Sequence, residues 1–121
     1  KVSGGGFQWP TNERHINQYF KWRHSGIDIG GNYSSPIYAA ESGTVALTGS
    51  GRGYGNHVVI NHGGGKQTLY GHLSKIYVKT GQRVERGQTV GMMGCTGWCT
   101  GTHLHFEVII GGRKVNPLSY L

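Results

Sequence analysis

Glycine constrains this chain more than any other residue. There are 23 among 121 residues, about 19%, where roughly 7% is usual. They follow no every-third-residue period, which excludes a collagen-like triple helix. They stand singly or in short clusters between short apolar runs, the pattern of tight turns joining many brief strands. Those runs cover 36–40, 44–47, 57–61, 67–72, 76–79, 89–93, 102–110 and 113–115, with Gly111-Gly112 as a hairpin signal between the last two. The one helix candidate is 11–21, with Thr11 or Asn12 as cap, and its β-branched and aromatic residues weaken it. The expectation is an all-β domain of about eight to ten short antiparallel strands, a sandwich or partly closed barrel.

One domain fits 121 residues. Residues 1–8 read as a linker remnant and 9–121 as the folded unit. The start at Lys1, without Met and ahead of a Ser-Gly-Gly-Gly stretch, suggests a piece of a longer precursor. No stretch approaches the 18 or so apolar residues of a membrane span, so no transmembrane segment is expected. Twelve Lys+Arg against five Asp+Glu give a net charge of +7. Such a balance attracts nucleic acid, acidic lipid or an acidic cell-wall polymer. No nucleic-acid-binding motif is present, so specific nucleic-acid recognition is not expected.

The acidic side is more informative, because Asp28 is the only aspartate. It stands four residues after His24, in His24-Ser-Gly-Ile-Asp28. Imidazole nitrogen and carboxylate oxygen are both zinc ligands, and a plain His–Asp hydrogen bond in a turn is the competing reading. His103-Leu104-His105 is a His-x-His pair on a predicted strand. Both rings share one face, while Leu104, Phe106 and Val108 supply an apolar core face. His72 ends the 67–72 strand. A hydrolytic zinc site needs three protein ligands and one open position. His24, Asp28 and one of the His-x-His pair make that count, leaving the other histidine and His72 for proton transfer and charge stabilisation. His15, His57 and His62 read as structural or surface residues, and Glu107 as a strand-surface glutamate or a group orienting a ligand.

The segments His24-Ser-Gly-Ile-Asp28, Gly71-His72-Leu73-Ser74 and His103-Leu104-His105, in this order and spacing, resemble the lysostaphin-type (LytM-like) zinc metalloendopeptidases acting on peptidoglycan. The resemblance extends to Gly51-Arg-Gly-Tyr-Gly-Asn56 and Gly81-Gln-Arg-Val-Glu-Arg-Gly-Gln-Thr-Val-Gly91. It implies two antiparallel sheets with a groove, the duplicated hybrid motif, and one Zn²⁺ per chain held by His24, Asp28 and His105. His72 and His103 would be the catalytic pair. Tyr19 lies close to where relatives place a tyrosine beside the zinc. The implied partner is peptidoglycan, with anionic wall polymers favoured by the charge, and the implied setting is secreted, periplasmic or cell-surface, as a monomer. The alternative is a wall-binding or hydrolase-activating module of the same fold without turnover.

Cys95 and Cys99 form a short even pair that reads as a disulfide in an oxidising compartment. The rival is a structural zinc site made of Cys95, Cys99, His103 and His105. The loop between the cysteines puts Trp98 forward as a groove wall, and Tyr54, in its glycine-rich stretch, is a second groove candidate.

Overall fold

The computed structural model describes residues 6–51, 53–97 and 99–121. Ten strands follow in chain order: β1 His15–Gln18, β2 Ile27–Gly30, β3 Pro36–Tyr38, β4 Gly43–Ser50, β5 Asn56–Gly63, β6 Lys66–Ile76, β7 Arg83–Val84, β8 Thr89–Met93, β9 His103–Ile110 and β10 Arg113–Val115. A single 3₁₀ turn, Pro117–Ser119, follows, capped by the Asn116 side chain accepting from the Leu118 N–H. No helix among the described residues is long and apolar enough to cross a membrane.

Every strand pairing is antiparallel, and the main path runs β1-β2-β9-β6-β5-β4-β7 without closing into a barrel. All ten strands belong to one sheet, which branches at β6. The first part of β6, Lys66 to Gly71, pairs with β9, and from Leu73 onward it pairs with β8, which carries β3 on its other side. One core lies against the sheet: Ile29, Ile37, Leu73, Met93, Leu104 and Phe106 are all fully buried within it. Each such side chain contributes roughly 1.5–3 kcal/mol of apolar burial. In β9 the expected core face is present, with Leu104, Phe106 and Val108 at 0% exposure, but the other face is covered too, since His105 and Glu107 are also buried.

Two hairpins have the two-residue turns that glycine permits. Gly64-Gly65 joins Gly63↔Lys66 with φ of 60° and 79°, and Gly111-Gly112 joins Ile110↔Arg113 with φ of 59° and 81°. Two consecutive positive φ values match the twist of the flanking strands, and glycine adopts them without steric cost.

The helix expected over 11–21 is absent. Its middle forms β1, which pairs with β2 through His15↔Gly30 and Ile16↔Ile29. The segment's apolar residues at helical spacing, Ile16, Tyr19 and Phe20, span little more than one turn, too short to hold a helix by itself, and β2 supplies partners for its backbone. The strand expected over 76–79 ends at Ile76. Phe7, expected in the linker, is buried in the core, and its N–H donates to the Tyr120 carbonyl, so the packed chain includes it.

Candidate metal centre

Strand register brings the first two site residues together. Asp28 on β2 and His105 on β9 are cross-strand partners, so their side chains leave the same face. Asp28 Oδ1 lies 2.7 Å from His105 Nδ1. His24 comes from a turn whose ends are pinned by reciprocal hydrogen bonds between Lys21 and His24 (3.1 and 2.9 Å). Its Nε2 is 3.2 Å from Asp28 Oδ2. Between them, Gly26 is needed for close approach: a Cβ there would lie 2.2 Å from the Phe106 carbonyl oxygen. His103, two residues before His105, places Nε2 3.7 Å from Asp28 Oδ2.

His72 arrives from β6 at the point where that strand changes partner. It is one of two non-glycine residues with positive φ among those described, at 63°. Its N–H donates to the Tyr54 carbonyl at 2.6 Å, and its ring sits edge-on to His103 at 4.7 Å. All five residues, with Tyr54, line one cavity of about 470 Å³.

Hydrogen bonds sort the imidazoles into two kinds. In His24, His72 and His103 the Nδ1–H donates to a backbone carbonyl, of Tyr19 (3.1 Å), Thr96 (2.6 Å) and Gly101 (2.7 Å) respectively, and the Nε2 atoms of His24 and His103 lie against Asp28. His105 is reversed: Nε2–H donates to Glu107 at 2.8 Å and Nδ1 faces Asp28. The partner of one ring nitrogen fixes which nitrogen is available for a metal or a proton.

Glu107 is not a surface residue. It is fully buried, and Oε2 accepts from His105, from Ser25 Oγ (2.5 Å) and from the Tyr54 hydroxyl (2.8 Å). Lys114 Nζ lies 3.0 Å from Oε1. Burial pushes the Glu107 pKa up, but hydrogen bonds from His105, Ser25, Tyr54 and Lys114 outweigh it and bring it down to about 2. Burial would likewise lower His105, yet the two carboxylates raise its pKa to about 9. Asp28 is raised by burial and lowered by His105, His103 and His24, with a net shift below the usual carboxylate range. Burial, with repulsion from His103 and His105, lowers His72.

The His24, Asp28 and His105 donor atoms all lie within 4.8 Å of one another. Two imidazole nitrogens and one carboxylate oxygen are a zinc donor set, so these residues fit a metal ion. The sulfurs of Cys95 and Cys99 are joined in a disulfide, with Cα atoms 5.3 Å apart. That removes the structural zinc site built on the two thiols. Among the expected groove residues, Tyr54 lines the cavity and stacks on His105 at 5.5 Å. The Tyr19 ring is 58% exposed and away from the cavity lining, and its carbonyl is what meets His24. Trp98 lies outside the described residues.

The sequence profile of Peptidase family M23 matches residues 22–117, a span that contains all five candidate site residues. The chain belongs to peptidase family M23. Within this M23 context, it is 47% identical over 95 residues to the peptidoglycan DD-endopeptidase ShyA of Vibrio cholerae, covering 78% of this chain and 22% of ShyA. It thus spans about a fifth of that relative's length. A zinc-containing peptidase from Vibrio cholerae superposes with a TM-score of 0.86 at 36% identity, over 89% of this chain and 37% of the other. Lysostaphin from Staphylococcus simulans superposes with a TM-score of 0.82 at 27% identity, over 94% of this chain and 53% of the other. The lysostaphin-type resemblance read from the motifs and the M23 membership agree.

Glu107 is the residue that sequence reasoning underrated. Its parity with His103 and His105 was the available signal. Ser25, Tyr54 and Lys114, which meet it, come from other parts of the chain.

Proposed function

We propose that this M23 domain is a zinc-dependent endopeptidase that hydrolyses peptide bonds in bacterial peptidoglycan, outside the cytoplasm. The observation that carries this reading is the convergence of donor atoms: His24 Nε2, His105 Nδ1 and the Asp28 carboxylate lie together, while two further histidines stand beside them, each anchored through Nδ1. His24, Asp28 and His105 would hold one Zn²⁺, which when bound polarises the scissile carbonyl and acidifies an attacking water.

The chain's own residues do the rest. His72 and His103, fixed through Nδ1, present Nε2 for proton transfer: one takes a proton from the attacking water, and the other stabilises the oxyanion or returns a proton to the leaving amine. Burial favours neutral His72, the form that can accept a proton. Glu107 holds the His105 ring through Nε2–H, so that Nδ1 stays directed at Asp28. Tyr54 covers the His105 ring and closes that side of the cavity. The +7 charge draws the protein towards anionic wall polymers.

The test pairs metal analysis with digestion of defined peptidoglycans of directly cross-linked and glycine-bridged types, followed by mass spectrometry of the fragments. About one equivalent of zinc and new free amino termini are expected. A zinc-loaded protein that cuts neither wall would refute the reading.

A further inference from the structure

We propose that the Cys95–Cys99 disulfide is a positioning device for His103: it ties the Gly101 carbonyl that fixes the His103 ring to the anchored Thr96 end of the same loop. This deepens the function proposed above and rests on its assignment of His103 to proton transfer. The loop runs from the end of β8 to the start of β9, and its sequence from Gly94 to Thr102 contains three glycines and no regular strand.

The two ends of this loop are held differently. Thr96 has anchors of its own: its Oγ1 donates to the Leu73 carbonyl at 2.8 Å and accepts from the Asn56 N–H at 3.1 Å. Next to it Gly97 packs on the 53–55 backbone so closely that a Cβ would lie 2.3 Å from the Gly55 nitrogen. The Thr96 carbonyl that receives His72 Nδ1–H is therefore fixed without help. Gly101 has no comparable support among the described residues. A Cβ at Gly101 would meet nothing within 4 Å, and Thr100 and Gly101 are exposed. Among the described residues, what lies against the Gly101 carbonyl, besides the His103 ring, is the disulfide sulfur Cys99 Sγ, in non-bonded contact at 2.8 Å. The same sulfur is 3.8 Å from His103 Nδ1. The disulfide joins that sulfur to Cys95, one residue before the anchored Thr96.

Chain entropy accounts for only part of the bond's use. Closing so small a loop restricts the unfolded chain roughly half as much as closing a long one. The His103 backbone is set separately, by its place on β9 and by its N–H to the Gly94 carbonyl at 3.3 Å. Loss of the disulfide should therefore free the His103 ring and leave His105 and the metal in place.

The experiment compares zinc-loaded wild type with Cys95→Ser/Cys99→Ser, following the hydrogen-bonded ring N–H protons of ¹⁵N-labelled histidines and the rate on soluble peptidoglycan fragments. His24, held by Tyr19, and His72, held by Thr96, are internal controls. The expected result is loss of the His103 Nδ1–H signal, retention of the His24 and His72 signals, and an unchanged zinc equivalent. The kcat should fall about 10- to 100-fold, the scale of a misplaced catalytic group, with KM little changed. If the variant does not fold, folded wild type is reduced with a phosphine. The sulfurs become two thiols, the phosphine becomes its oxide with oxygen from water, and the same signals are read. An unchanged kcat overturns the proposal, as does joint loss of all three signals with zinc, which would make the bond a support for the whole domain. Oxidised wild type that holds zinc but cuts no peptidoglycan would refute the proposed function instead, and the ring signals would still decide whether the bond fixes His103.

Discussion

Glu107→Gln separates the role of Glu107 as a partner of His105 from its role as a buried charge. The carboxylate receives three donors at Oε2 and one ammonium at Oε1. A carboxamide must turn its NH₂ towards one of these groups. The Lys114 side chain is 41% exposed and can swing into water, so the NH₂ should settle on that side and the oxygen should keep His105. The bond to His105 then survives without its charge. Hydrogen bonds to charged groups contribute about 1.5–3 kcal/mol against about 1 kcal/mol between neutral ones. A loss of ~1–2 kcal/mol weakens zinc binding about 5- to 30-fold, overlapping the range typical for groups that orient metal ligands. The assay is competition with a chromophoric chelator at about pH 9.5. At lower pH the substitution also lowers the proton affinity of His105, and reduced proton competition would hide part of the effect. An unchanged zinc Kd at that pH, in a folded variant, would refute the argument that Glu107 works through His105.

Three further outcomes follow from the site and its surroundings. His105→Ala and Asp28→Ala should lose both metal and activity, while His72→Ala and His103→Ala should keep near-stoichiometric zinc and lose at least about two orders of magnitude in rate; metal analysis of the four proteins reads this directly, and a zinc-free His103→Ala beside a zinc-loaded His105→Ala would reverse the roles. With its pKa raised to about 9 in the metal-free protein, His105 holds a proton at pH 7.5 that must leave when Nδ1 binds a metal. Calorimetry in buffers of different ionisation enthalpy should find about one proton released, with affinity rising as pH approaches 9. His62 is lowered by burial and completes a hydrogen-bonded chain from the Ala40 N–H through Tyr70 and Thr68 to the Ser42 carbonyl. The unfolded chain takes a proton that folded His62 refuses, so stability should fall as pH drops below about 6.5, and His62→Gln should flatten that part of the melting-temperature profile in chelator.

The legible parts of the fold were those where local chemistry decides. β8 and β10 were read to the residue, because turn glycines and alternation bound them. β1 was obscured because its pairing with β2 is a tertiary fact. β2 is only four residues long, Ile27 to Gly30, too short for its Ile-Asp-Ile alternation to stand out. The five candidate residues, which line one cavity, were picked out by the His24/Asp28 spacing, by the shared parity of His103 and His105, and, for His72, by the motif resemblance. The surroundings of Glu107 were not, since its partners stand 82 and 53 residues away in Ser25 and Tyr54. The need for glycine at position 26 is likewise set by a distant strand, since the Phe106 carbonyl of β9 leaves no room for a side chain.

The left-handed backbone of His72 sets stability against chemistry at one position. A β-carbon at φ 63° costs roughly 1–2 kcal/mol that glycine would not. His72→Gly relieves that cost but gives up a buried ring and its bond to the Thr96 carbonyl, so its melting temperature should change little while its turnover collapses. Selection for folding alone would tolerate that exchange, and selection for hydrolysis opposes it. A descendant relieved of its enzymatic task would have an easy path to silence here, through a substitution that relaxes the backbone and leaves the metal ligands untouched. Among M23 domains that keep the His-Asp-His set, the residue at this position would then separate working hydrolases from retired ones.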